Sequence, residues 1–169
     1  MRSKKKTGSP APWSAEKALP YLASLCAKCE QCEEDLRLKM RRHCMEEGDM
    51  DSIIAYLYEH KFLDEERYAR AYARDKMRFN GWGKQKISLM LRAKRMPGDV
   101  IEDALRSLDS EEYRKTAETL VRRLCRSLNA DDFGERSKLL RRMYARGFET
   151  ALVRDIIASR REAEEEVHE

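Results

Sequence analysis

Three evenly spaced cysteines, Cys26, Cys29 and Cys32 in "CAKCEQC", are the first residues here that could do chemistry, with His43 and Cys44 a short way on. Thiols at such spacing invite zinc or an iron–sulfur cluster. A structural zinc site usually draws on two tight ligand pairs, and no second pair follows. Cys32 also stands where a Ser or Thr would cap the helix beginning "EEDLRLKM", with Asp35 at its third position. The three are therefore read as ordinary buried or capping cysteines, with no metal and no cofactor. Other chemistry fails to converge. His43, His60 and His168 lack the Ser and Asp partners of a nucleophilic triad. Glu65 and Glu66 suit the positive end of a helix better than acid–base work. "NGWGK" lacks the spacing of a phosphate-binding glycine loop. No catalytic residue is expected, and the chain is read as not an enzyme.

Positive charge is the stronger signal. The 169 residues carry a net charge of only +4, with 39% charged and 41% hydrophobic. The charge is unevenly spread. From Lys76 to Gly98 there are seven Lys or Arg and no Asp or Glu, whereas the chain closes on acidic "EAEEEVHE". Three basic patches stand out: Arg37, Lys39, Arg41 and Arg42; then Lys84, Lys86, Arg92, Lys94 and Arg95; then Arg136, Lys138, Arg141, Arg142 and Arg146. Such a strip suits phosphates along a strand or an acidic protein groove. A solvated helix face is the plainer alternative for any one patch.

The elements that position these residues are helices. Few Gly and Pro, with a 3.6-residue apolar period and no strand pattern, indicate an all-α fold. "FLDEERYARAYARDKMRF" begins a helix with Asp64 as N-cap, Glu65 and Glu66 in the first turn, and Leu63 and Tyr68 as a hydrophobic staple. Tyr68, Ala69, Tyr72, Ala73 and Phe79 form its expected apolar stripe. "LLRRMYARGFE" ends one, with Gly147 left-handed and Phe148 folding back on Met143. Gly81 and Gly83 mark a turn, and Trp82 between them is placed over the core in preference to facing a partner.

The chain also resembles itself. "KISLMLRAKRMPGDVIEDAL" overlies "KLLRRMYARGFETALVRDII" at a constant offset of 52 residues, pairing Ile87 with Leu139, Leu91 with Met143 and Met96 with Phe148. A third copy lies in "DLRLKMRRHCMEEGDMDSIIAYL", with an expected insertion before Ile53. Each copy follows a helix, at roughly 15–28, 65–79 and 111–128. The expected fold is therefore three tandem three-helix repeats in an elongated, curved row, right- or left-handed, because no single unit buries enough to stand alone. The boundaries are a disordered basic tail at 1–12, repeats at 13–63, 64–109 and 110–161, and an acidic tail at 162–169. All three basic patches then fall on the second helix of their repeat.

At these residues the chain resembles the RecX family, bacterial regulators of the RecA recombinase, from about Ala18 to Ala158. Leu63, Asp64, Glu65, Arg67, Tyr68 and Ala69 match the family's start to the middle unit. Gly83, Ile87 and Leu91 match its centre, and Ile101, Ala104 and Leu105 its end; Arg146, Gly147 and Phe148 are similar to the third unit's Arg–Gly–Phe. Lys94, Arg95 and Met96 stand where the family usually has Lys–Gly–Ile, so Pro97 and Gly98 are expected to shape that helix end. Five cysteines, an odd number in a helical chain, argue for reduced thiols in a cytoplasm, and the repeat pattern points to a monomer. The resemblance implies a non-catalytic regulator in DNA recombination, repair and the SOS response. It implies binding to the RecA filament, weak binding to single- and double-stranded DNA, no membrane, and damping of filament growth, ATP hydrolysis and strand exchange. The residues alone leave two other readings open: a general nucleic-acid-binding helical module or transcriptional regulator, and a protein adaptor with basic faces.

Overall fold

Side-chain oxygens start several of the helices, and left-handed turns stop others. The computed structural model describes residues 12–128 and 132–166, with side chains as far as Arg160. Among the described residues there are nine helices and no strand: α1 (Ala15–Lys28), α2 (Glu33–Arg42), α3 (Glu47–Glu59), α4 (Glu65–Asn80), α5 (Lys84–Ala93), α6 (Gly98–Arg106), α7 (Ser110–Cys125), α8 (Phe133–Ala145) and α9 (Thr150–Glu166). The architecture is all-α, in tandem three-helix repeats. None of these helices is long and apolar enough to cross a membrane. The tails expected at 1–12 and 162–169 lie outside the described residues, apart from Pro12 and the backbone of α9 as far as Glu166. The chain divides into two compact units, one through Tyr68 and one from Ala69.

In the first unit α1 and α2 pack on α3 around Ala18, Leu22, Leu36, Met40, Met50, Ile53, Ile54 and Leu57. Polar clamps close its edges. Arg37 on α2 meets Glu33 at 2.6 Å and Asp51 on α3 at 2.8 Å. Arg67 meets Glu30 at 2.6 Å and also donates to the carbonyls of Lys61 and Phe62. The Tyr58 hydroxyl lies between the carboxylates of Glu33, at 3.1 Å, and Glu65, at 3.3 Å. Burial, followed by those two charges, raises the phenol far above its ordinary pKa. Glu65 and Arg67 are thus structural ties. Cys32 is buried at the N-cap of α2 without a side-chain capping bond, so it sits at the capping position as a core residue.

The second unit holds the rest of α4 and the other five helices. Its buried residues include Ala69, Ala73, Met77, Ile87, Leu91, Ile101, Ala104, Ala117, Val121, Leu139, Met143, Phe148 and Val153. On α4 the stripe ends at Met77, fully buried, and not at Phe79, which is 82% exposed. Met77 follows Ala73 by four residues and keeps its face; Phe79 is turned well away from it.

The three repeats share one helix-ending device. In each, the second helix stops in a Schellman motif: the amides of Met45, Met96 and Phe148 return to the carbonyls of Met40, Leu91 and Met143, and those of Cys44, Arg95 and Gly147 to Arg41, Arg92 and Tyr144. The left-handed residue is Cys44 (φ 52°), Arg95 (φ 60°) or Gly147 (φ 89°). Two expectations are corrected here. Arg95 itself makes the turn for which glycine would be usual, so Pro97 and Gly98 need not. There is also no insertion before Ile53: α3, α6 and α9 each begin two residues after Met45, Met96 and Phe148. Met50, Ile101 and Val153 are therefore equivalent. The extra residues of the first repeat lengthen the far end of α3, 13 residues against 9 in α6.

Asp64 behaves as its type and place predict. Its carboxylate accepts the Arg67 amide at 2.8 Å, while Leu63 and Tyr68 are buried beside it. Asp64→Ala should destabilise the fold by roughly 0.5–2 kcal/mol. Arg95→Gly should do the opposite, by roughly 0.5–1 kcal/mol, since it relieves a left-handed side chain at some cost in chain entropy. Thermal melting of the two variants checks both signs.

Candidate binding surface

Helix α5, which carries Lys84, Lys86 and Arg92 and no acidic residue, starts with lysines at the end where a helix dipole is positive. Its first turn holds no acidic residue, and Gly83 at its N-cap has no side chain to offer. The missing acceptors come from the third repeat. Gly83 N–H donates to the Arg146 carbonyl at 2.8 Å, and Gln85 N–H to the Gly147 carbonyl at 3.1 Å. Lys84 N–H donates to the Tyr113 hydroxyl at 3.0 Å, which in turn donates to Glu149 at 2.7 Å. The carbonyl end of α8 thus abuts the amide end of α5, and opposite partial charges meet. Burial, then the Glu149 contact, raises the Tyr113 phenol far above its usual pKa, so it remains a donor.

This approach requires two glycines. A Cβ on Gly83 would lie 2.1 Å from the Gly147 carbonyl oxygen, and one on Gly147 would lie 2.4 Å from the Lys86 amide nitrogen. Gly83 therefore does more than turn the chain: it lets one backbone touch another.

Beside this joint the cations alternate with aromatic rings. Lys86 Nζ lies 4.6 Å from the Trp82 ring centroid, and Lys76 Nζ lies 5.3 Å from Trp82 and 5.2 Å from Tyr72. Lys94 Nζ follows at 5.8 Å from Tyr72. The result is a ladder, Lys86–Trp82–Lys76–Tyr72–Lys94. Ring faces attract ammonium groups with roughly 0.5–1 kcal/mol each at such exposure, so the rings space the lysines without neutralising them. Trp82 is half-buried between lysines, neither a core residue nor a bare aromatic. The Trp82 amide returns to the Lys76 carbonyl at 3.1 Å, after Gly81 at φ 60°, which seats the ring beside that lysine. Lys84 stands 5.0 Å from the Tyr113 ring.

The predicted patches differ once placed. In the second repeat Lys84, Lys86 and Lys94 join the aromatic array, while Arg92 and Arg95 are exposed. In the third, Lys138, Arg141 and Arg142 are exposed along α8, and Arg146 Nη1 donates to the Asn80 carbonyl at 3.3 Å. Arg136 lies 5.8 Å from the Phe133 ring. In the first, acidic residues take the cations: Arg37 is clamped as described, and Arg41 lies 3.8 Å from Glu34 and 3.4 Å from Glu47. Lys39 lies 5.8 Å from the Tyr21 ring, and Arg42 is exposed. Sequence reasoning missed Tyr72 and Lys76 as surface residues. The available signal was the four-residue spacing of Tyr72–Lys76 on α4, which brings side chains together on a helix; Trp82 precedes α5, so its approach to Lys86 depends on the turn at Gly81 and carried no such signal. Among the described residues no group of three or more His, Cys, Asp or Glu could hold a metal ion. Cys26 is half-buried and Cys29 exposed; burial is the main cause of a raised pKa at Cys26.

Comparison with known proteins bears on these residues. The family model for the second three-helix domain of RecX matches residues 64–105. A regulatory protein RecX from Clostridium botulinum (strain Eklund 17B / Type B) is 30% identical over 128 residues, covering 74% of this chain and 59% of the relative. One from Mycobacterium sp. (strain JLS) is 28% identical over 151 residues, covering 86% and 82%. The match thus spans about three-fifths of the clostridial relative's length. Among solved structures, RecX from Lactobacillus salivarius superposes with a TM-score of 0.73 at 20% identity, over 86% of this chain and 95% of that one. A second crystal structure of regulatory protein RecX gives 0.72 at 21% identity, over 83% and 71%.

The paired glycines make a sharp test of the joint. Gly83→Ala and Gly147→Ala should each lower stability by about 1–3 kcal/mol or more, because backbone atoms must part. Gly98→Ala, with nothing within 4 Å of the added carbon, should be neutral or slightly stabilising. Chemical denaturation of the three variants separates the outcomes.

Proposed function

We propose that this chain, which belongs to the RecX family, regulates the RecA recombinase by occupying its DNA filament. It binds the filament as a monomer in the cytoplasm, damps filament growth, ATP hydrolysis and strand exchange, and acts by occupancy and not by catalysis. It also binds single- and double-stranded DNA, weakly. Family membership supports the partner. The observation that carries the reading on this chain's own residues is the Lys86–Trp82–Lys76–Tyr72–Lys94 ladder. Three ammonium groups held apart by rings suit a row of phosphates or carboxylates, which is the surface a nucleoprotein filament offers. Arg92 and Arg95 from the second repeat, and Lys138, Arg141, Arg142 and Arg146 from the third, extend the proposed contact. Lys84 supports it from the joint. The first repeat contributes less, through Lys39 and Arg42, because Arg37 and Arg41 are committed to its own carboxylates.

The test follows ATP hydrolysis by RecA filaments on single strands at several salt concentrations. Replacing Lys76, Lys86 and Lys94 together by Ala should leave melting nearly unchanged and weaken inhibition markedly. The logarithmic salt dependence of filament binding should fall by roughly 2, because fewer counterions are released. A triple variant that inhibits as well as the parent at every salt concentration would sink this assignment. Parent protein that binds bare strands as tightly as filaments, without affecting hydrolysis, would favour a general nucleic-acid-binding module instead.

A further inference from the structure

The last turn of α4 leaves Phe79 82% exposed, and a lone exposed ring needs no explanation of its own. Its surroundings add a second observation. Phe79 borders a groove of about 440 Å³ that also holds Arg78, Glu112, Lys115, Arg123 and Arg146. Arg78 and Glu112 cancel each other through paired contacts of 2.6 and 2.8 Å. Lys115, Arg123 and Arg146 remain as excess positive charge. Arg146 is fixed in place, since its guanidinium donates to the Asn80 carbonyl while its own carbonyl serves the start of α5. Apolar Leu120 is 9% exposed and also borders the groove.

The geometry points to a single-stranded nucleic-acid site in this groove, separate from the lysine ladder, in which a base stacks on Phe79 and flanking phosphates meet Arg123, Arg146 and Lys115. Three features favour that ligand. A highly exposed ring offers a flat face to another planar ring. Cations around it match the phosphates on either side of a stacked base. A duplex is a poor fit, because its bases already stack on one another. An acidic peptide would suit the charge, but an anchoring side chain wants a concave apolar pocket, and the exposed Phe79 does not form one.

The experiment leaves RecA out, so it stands or falls apart from the proposed regulation of the filament. Fluorescence anisotropy measures binding of labelled oligothymidylate of about 20 nucleotides, longer than the usual site of one small binding domain. An abasic strand of equal length presents the same phosphates without bases. The parent should prefer oligothymidylate to the abasic strand. Phe79→Ala should weaken oligothymidylate binding roughly tenfold, the effect of losing one stacked base, and leave abasic binding unchanged. Phe79→Trp should restore the preference. Arg123→Ala should weaken both strands alike. Repeating the set in the Lys76, Lys86 and Lys94 triple variant should preserve the preference at lower overall affinity. Equal binding of the two strands by the parent, or a Phe79→Ala variant that keeps its preference, would overturn the site. So would binding of an acidic aromatic peptide that depends on Phe79 while neither strand binds.

Discussion

The carbonyl end of α8 set against the amide end of α5 is the constraint on which the second unit depends. A helix that opens with Lys84 and Lys86 is electrostatically awkward, because its own amides already present positive charge there. Most helices answer with an acidic residue or a capping oxygen in the first turn. Here Arg146, Gly147 and Tyr113 provide the oxygens from another repeat. The first turn of α5 therefore needs no acidic residue of its own, and Lys84 and Lys86 stand against aromatic rings there instead. Gly83 and Gly147 are the condition for this arrangement, since a side chain on either would hold the two backbones apart.

Much of this was legible in the sequence. The 52-residue echo, the Asp64 cap, the Gly147–Phe148 turn and the three-helix grouping all rest on local patterns that a helix imposes on its own residues. Gly83 was visible as a turn, but its partner was not, because Gly147 lies far along the chain and periodicity says nothing about which turns meet. Phe79 was misread for a related reason: an aromatic near a stripe suggests burial, yet the helical angle places Met77 on the core face instead. The turns at Cys44 and Arg95 hid because neither is glycine. Their hydrogen bonds and the buried Met45 and Met96 carry the motif anyway. The supposed insertion before Ile53 arose from aligning side chains by type, where the equivalent residues differ in size: Ile53 answers to Ala104.

Charge shows how equivalent elements diverge. The helix α2 has the place of α5 and a comparable number of cations, but it carries Glu33, Glu34 and Asp35 in its first turn. Those carboxylates solve the problem of starting the helix, and Glu33 goes on to hold Arg37 and to approach the Tyr58 hydroxyl. A patch that looks basic in sequence thus becomes internal scaffolding. Counting cations per helix misses this, because what a partner meets is the charge left after neighbours have taken theirs.

The shared joint also bears on how the second and third repeats come apart. In a stacked array, cooperativity is set by the strength of the coupling between neighbours relative to the units themselves. Here the first turn of α5 has no acceptors of its own, so loss of the third repeat would strip that helix of its start as well as of a packing surface. The two repeats should therefore unfold as one transition, and a fragment cut after α6 should carry its basic residues on a frayed helix. A substitution at the distant turn of Gly147 would therefore disturb the lysines of α5 without touching any of them: the surface depends on a residue it does not contain.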